Sequence, residues 1–282
     1  MRGEEEIAPH APIRDAAPPG APGAVTSSGR PVPGAWGGPL RLPAAVVTRV
    51  GPLQPGSPRT VRPMPPRMLE QRLARLADPS IATLPLESLL QTGLPHDRRP
   101  FLLSFDGGYP EHVEIVLPLL ERLGLRASFF VPELRVGRRG EGLGAPEIRA
   151  LQRRGMGIGL GLPPATTLAT LRGAAFRRTL EPRLRQLEDV TGRAIRTAAC
   201  LGARPAPAVC ERLRSLGLEA LCFAEPGHHW RIGGLLCIAR LPLSPSTPPG
   251  RWNALVRMDA LADRSRGFTL PDDRPPRATV GP

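Results

Sequence analysis

The fold turns on Phe101-Leu102-Leu103-Ser104-Phe105-Asp106-Gly107-Gly108-Tyr109. A short apolar run rich in Phe and Leu is stopped by an acidic residue and two glycines, which is how a buried strand runs into a tight turn. A helix follows, because Val113, Val116, Leu117, Leu120 and Leu123 recur at helical spacing and Gly124 stands where such a helix ends. The rhythm then repeats. Residues 127–131 read as a strand, and 146–154 as a helix with Pro146 near its start and Gly155 behind it. Residues 156–160 form a thin, glycine-rich strand, and 167–190 one long helix closed by Gly192. A strand at 195–201, a helix at 206–216 and strands at 218–224 and 235–241 continue the series. Upstream, Met68, Leu69, Leu73 and Leu76 mark a helix, and a second short one covers 86–90. Strands alternating with helices of this length predict an α/β fold, a parallel sheet covered by helices. Periodicity alone leaves open sheet and barrel as alternatives. In both, chemistry collects at the carboxyl ends of the strands, which directs attention to Asp106 and to the residues after Leu160, Cys200 and Ala224.

The flanks read differently. Of 37 Pro in the 282 residues, 15 lie in residues 1–66, where no apolar period is sustained. Such a stretch buries too little apolar surface to offset its ordering entropy, so 1–66 is expected to be a disordered tail, with a run at 46–50 able to pair at a sheet edge. The folded domain is expected at 67–245, and 246–282 as an Arg- and Pro-rich extension carrying one helix at 252–262.

The net charge is +13, and all 38 cations are Arg. They are spread along the chain instead of clustered, and three Trp and one Tyr offer few stacking platforms, so nucleic acid is not the expected partner. No apolar run is long enough for a membrane span, and the acidic start after Met1 lacks the core of an export signal. A cytoplasmic location is therefore expected, with Cys200, Cys210, Cys222 and Cys237 as buried free thiols, since their spacing contains no C-x-x-C pair.

Several blocks share one order. Leu86-Glu87-Ser88-Leu89-Leu90 precedes Ser104-Phe105-Asp106-Gly107-Gly108-Tyr109. Val116-Leu117-Pro118-Leu119-Leu120 and Ala127-Ser128-Phe129-Phe130-Val131 come next, followed by Gly155-Met156-Gly157-Ile158-Gly159 and Leu187-Glu188-Asp189-Val190-Thr191-Gly192-Arg193. Together they resemble the polysaccharide deacetylase family (the NodB-homology domain, carbohydrate esterase family 4) over roughly residues 67–245. The resemblance implies a distorted or incomplete (β/α) barrel that hydrolyses a non-peptide C–N bond, removing acetyl groups from an N-acetylated carbohydrate with a divalent metal, usually zinc.

Carried over position by position, the resemblance implies a general base at Asp106, but the metal-ligand Asp position is Gly107 and the two metal-ligand His positions are Gly161 and Ala165. The family's R-x-P-Y-G falls on Ala198–Gly202, so its Arg is absent while Leu201 can still offer a backbone N–H to an oxyanion. Its late His has no counterpart. Zinc in a catalytic site wants about three protein ligands, so no cofactor is expected. The expected protein keeps the fold and has lost the metal site and the reaction, binding a glycan or a protein partner in the old cleft, with Tyr109, His228, His229 and Trp230 as cleft residues. Two other readings stay open. One is a hydrolase rebuilt from Asp106, His112 and one of His228 or His229; the other is a basic scaffold for polyanions. If only the ligands have gone, Gly107→Asp, Gly161→His and Ala165→His together are expected to restore a metal site.

Overall fold

The computed structural model describes residues 42–52, 62–134, 142–202, 204–232 and 234–257. Strand β1 (Ala44–Val47) comes first, followed by helix α1 (Pro66–Leu73), strand β2 (Ile81–Thr83), helix α2 (Leu86–Thr92) and the long strand β3 (Arg99–Asp106). The chain then passes through a π-helical turn at His112–Val116 into α3 (Leu117–Arg122). Pro118 has no N–H to give the carbonyl four residues back, so the regular ladder is broken there. Next come β4 (Ser128–Val131), α4 (Ala145–Arg153), β5 (Gly157–Leu162), α5 (Ala165–Thr170), α6 (Gly173–Thr191), β6 (Thr197–Cys200), α7 (Pro207–Arg214) and β7 (Ala220–Phe223). A hairpin of β8 (Trp230–Ile232) and β9 (Leu235–Ala239) leads into β10 (Leu241–Pro242), and α8 (Pro249–Arg257) ends the described chain.

Strands β1, β3, β4, β5, β6, β7 and β9 lie side by side in parallel, except that β1 and β9 meet only through β10. The segment Leu235–Pro242 makes that connection. Its first half pairs with β7, and its last two residues pair with β1, Ala45 opposite Leu241 and Val46 opposite Pro242. The sheet is thereby closed on itself at one level. At the opposite level β1 is replaced by β2 beside β3 and by β8 beside β9, so the ring is distorted there. Helix α8 covers that side, with Trp252 edge-on to Phe101 and its Nε1–H donated to the Arg72 carbonyl.

Period-two alternation divides every strand between two layers. Outward residues such as Val47, Phe105, Phe129, Ile158 and Leu160 join the helices in the larger core. Inward residues form a second, smaller cluster that includes Ala44, Leu102, Phe130, Ala199, Cys222 and Ile238, with Leu86 and Leu89 of α2 at its base. On β5 the inward positions are all glycine, and their neighbours fill the space. A Cβ on Gly159 would lie 2.5 Å from the Phe130 ring and 2.6 Å from Thr197 Oγ1.

The α/β assignment and the distorted barrel hold, and the boundaries need correction. β1 falls inside the expected tail at 1–66, yet it is buried and paired on both sides instead of lying at an edge. Both its partners are distant in sequence, and prolines surround it, so no local period betrays it. The extension at 246–282 likewise supplies α8, whose Trp252 is 1% exposed; the rest of the helix expected to 262 lies outside the described residues, as do residues 1–41. The long helix at 167–190 is two helices, broken at Leu171-Arg172 with an extended backbone before Gly173, whose φ is +42°.

Deleting residues 42–52 should abolish the cooperative thermal transition, and Val47→Asp should lower its midpoint by several degrees, because a carboxylate would enter the sheet–helix core. A melt unchanged by the deletion would show that β1 is dispensable.

Candidate functional site

Asp106 closes β3 and points into the barrel, 4% exposed. There it meets Arg240, the residue between β9 and β10, which is fully buried. The guanidinium donates one N–H to each carboxylate oxygen, both at 2.7 Å, and a further bond of 2.9 Å to Ser104 Oγ. Ser104 in turn donates to the Ala45 carbonyl at 2.9 Å. Planar fork-to-fork pairing of this kind is the strongest geometry open to Arg and carboxylate. Burial is the largest single influence on the Arg240 guanidinium and would lower it, but the charge and hydrogen bonds of Asp106 together with the nearby Cys222 and Cys200 hold it above its ordinary value. Arg240 was not singled out by sequence reasoning. Its signal was a single charge inside the apolar run Leu235-Leu236-Cys237-Ile238-Ala239-Arg240-Leu241, on the strand where the resemblance looks for a His.

The metal-ligand positions do not suit a metal. Gly107 has φ +110°, a conformation that L side chains rarely adopt, and a Cβ there would run into the Tyr109 ring. That ring is held in place by the Arg49 guanidinium, 4.2 Å above its centroid, while Arg49 also bonds Glu111 at 2.6 Å. A Cβ on Gly161 would lie 2.6 Å from the Pro132 nitrogen, which is backbone and cannot swing aside. Ala165, at the start of α5, packs against the outer core. Among the described residues no three His, Cys, Asp or Glu side chains come together in a set able to hold an ion. The residues present do not fit the metal, and the expected repair by three substitutions is overturned: two of the three positions lack room even for a Cβ.

Nor do the histidines assemble with Asp106. His112 is fully buried on the outer side of β3 among the rings of Phe105, Tyr109 and Phe129, and its Nε2–H is donated to the Thr48 carbonyl at 2.9 Å. Burial lowers its pKa, and its Nδ1 has no partner. His229 uses both ring nitrogens. Nε2–H is donated to the Leu42 carbonyl at 2.6 Å, and Nδ1 accepts the Ala239 N–H at 3.1 Å, so the ring spans the strand junction beside β1. Burial pulls its pKa down to about 4. His228 is exposed. The rebuilt trio of Asp106, His112 and a late His is therefore not formed.

Of the remaining cleft residues, Trp230 contacts Phe223 at 4.9 Å between centroids and carries the Arg204 guanidinium over its ring at 4.8 Å, leaving little of it as an open platform. Leu201, at the end of β6, is 40% exposed, unusual for a large apolar side chain in this molecule. At the other end of the barrel Glu87 of α2 rises beside Gly157, accepting a long bond from Thr197 Oγ1 at 3.4 Å. Burial raises its pKa. The sequence placed Glu87 only in a motif and gave no sign that its carboxylate enters the barrel.

The fold is an α/β barrel of polysaccharide-deacetylase type. Residues 94–221 match the family model for polysaccharide deacetylase. Among solved structures, the Streptococcus pyogenes deacetylase PplD in complex with acetate aligns at TM-score 0.67 and 15% identity, over 78% of this chain and 99% of that one. A polysaccharide deacetylase from Bacillus cereus aligns at TM-score 0.64 and 15% identity, over 76% of this chain and 68% of that one. IcaB from Ammonifex degensii aligns at TM-score 0.56 and 17% identity, over 76% and 96%. Comparison with curated proteins finds no match. The chain thus shares the fold of the polysaccharide deacetylases, and the family model matches it over residues 94–221.

Two measurements check the site. Arg240→Met should cost about 3–5 kcal/mol, because Asp106 is then a buried charge without its partner, whereas Asp106→Asn with Arg240→Met should recover most of the loss. A double variant that costs the sum of the two single ones would mean that the pair is not coupled. Stability should also fall with acidification. His229 is held neutral in the fold, so its contribution is complete above the unfolded value of about 6.5 and is lost as pH drops toward 4. His112 acts in the same sense. In His229→Ala the difference between melting midpoints at pH 7.5 and pH 5 should shrink; an unchanged difference would remove His229 from the account.

Proposed function

We propose that this domain has given up metal-dependent deacetylation and uses the deacetylase barrel to bind a carbohydrate at the strand-end mouth. The observation that carries this reading is the engagement of Asp106. A general base must be reached by water or substrate, and here the carboxylate is buried and held on both oxygens by the buried Arg240. Deacetylation of this type also needs a polarised carbonyl, which the metal supplies in the family. Two of the three positions that would hold the ion are glycines pressed against Tyr109 and Pro132, and the third is Ala165.

A carbohydrate as ligand class rests on the family and on similar structures described as polysaccharide deacetylases. The mouth offers Leu201 as exposed apolar surface, and Tyr109 follows the end of β3. Polyanion binding draws less support, since several surface Arg residues are paired with carboxylates, among them Arg122 with Glu70, Arg154 with Glu121 and Arg196 with Glu219. No helix among the described residues is long and apolar enough to cross a membrane.

The full chain, incubated with N-acetylglucosamine oligomers and added Zn²⁺, Co²⁺ or Mn²⁺, should release no acetate above a blank. Titration with the same oligomers, followed by NMR, should shift resonances of Leu201 and its neighbours at the mouth. Metal-dependent acetate release would overturn the non-hydrolytic reading, and absence of any shift at millimolar oligomer would overturn the carbohydrate.

A further inference from the structure

Cys210 and Cys237 stand apart from the other two cysteines. Cys210 lies on the buried face of α7 with Val209 and Leu213, and Cys237 lies on the outward face of β9. Their sulfurs are 3.9 Å apart across the helix–sheet layer, the only sulfur–sulfur contact among the described residues. Cys200, on the outward face of β6, lies in the same core as the pair, and Cys222 lies inside the barrel. All four are free thiols.

We propose that Cys210 and Cys237 form an oxidisable dithiol, which a two-electron peroxide oxidant converts into a disulfide clamping α7 to the strand that closes the barrel. The sulfurs stand in van der Waals contact at 3.9 Å, and a disulfide at about 2.05 Å requires side-chain rotation and a shift of α7. The helix has only eight residues and is followed by the turn at Ser215–Gly217, so it is a short element to move.

The electronic asymmetry assigns the roles. A hydrogen bond from Cys237 holds the Cys210 thiol below its ordinary value, with the Arg204 charge acting in the same direction. Burial pushes Cys200 and Cys222 up to about 12. Cys210 is therefore the attacking thiolate. Having lost its proton, it attacks one peroxide oxygen. The O–O bond breaks, and the departing hydroxide takes up a proton to leave as water, giving a sulfenic acid on Cys210. The Cys237 sulfur then attacks the Cys210 sulfur and the S–O bond breaks; the hydroxyl leaves as water with the Cys237 proton. Two thiols are oxidised by two electrons, and one peroxide becomes two waters.

The test uses the full chain with hydrogen peroxide, well below its melting midpoint. Titratable thiols, counted after denaturation, should fall from four to two, and peptide mapping should recover a cross-link between Cys210 and Cys237. Tethering residues 27 apart in sequence should raise the melting midpoint by about 5–10 °C, reversibly on reduction. Cys210→Ser should abolish the cross-link, and Cys200→Ser should leave it intact. Retention of all four thiols, a cross-link through Cys200 or Cys222, or oxidation to sulfinic acid without a cross-link would each overturn the proposal. The wild-type thiol count decides the matter even if a variant fails to fold.

Discussion

The barrel is held together from inside by one ion pair. Arg240 sits at the junction where a single extended segment changes partner from β7 to β1, and its side chain crosses the interior to Asp106 at the end of β3. Two charges taken out of water cost several kcal/mol each after relaxation, and such a pair breaks even only when its geometry is good and its remaining donors are used. Here the fork is bidentate, and the same guanidinium nitrogen also reaches Ser104, which reaches Ala45 of β1. Three strands that are far apart in sequence thus meet in one hydrogen-bonded chain. Position 106 is bound to the closure of the fold before it is available to any substrate.

The same economy of space explains the strand ends. Three inward glycines on β5 allow their neighbours to move in: Glu87 against Gly157, Phe130 and Thr197 against Gly159, and the Pro132 backbone against Gly161. Close packing leaves no vacancy where a side chain has been removed, because a void forfeits the dispersion contacts of its lining. The small residues at these positions and the neighbours packed against them belong together, and a side chain added at Gly107 or Gly161 meets a filled space.

Histidine placement illustrates how far residue type alone misleads. His112 and His229 are close enough to the β3 and β9 ends to invite a catalytic reading, yet each is a structural tether from a ring N–H to a backbone carbonyl near β1. β1 has only four residues and needs such ties. Their nitrogens satisfy carbonyls just beyond the two ends of β1, where the ladder cannot.

Much was legible in the sequence. The alternation of apolar runs with helical periods, and the stops at Asp106-Gly107-Gly108, Gly124, Gly155 and Gly192, determined the class of fold and most of its elements, because each depends on local spacing and turn chemistry. The absence of metal-ligating side chains at Gly107, Gly161 and Ala165 was equally a property of the sequence. Only the tertiary structure decided the inclusion of β1, the closure through Leu235–Pro242, the pairing of Arg240 with Asp106 across 134 positions, and the contact between Cys210 and Cys237. These are pairings between distant segments, set by strand register and by the filling of the barrel interior, and a single chain read along its length carries no local period that announces them.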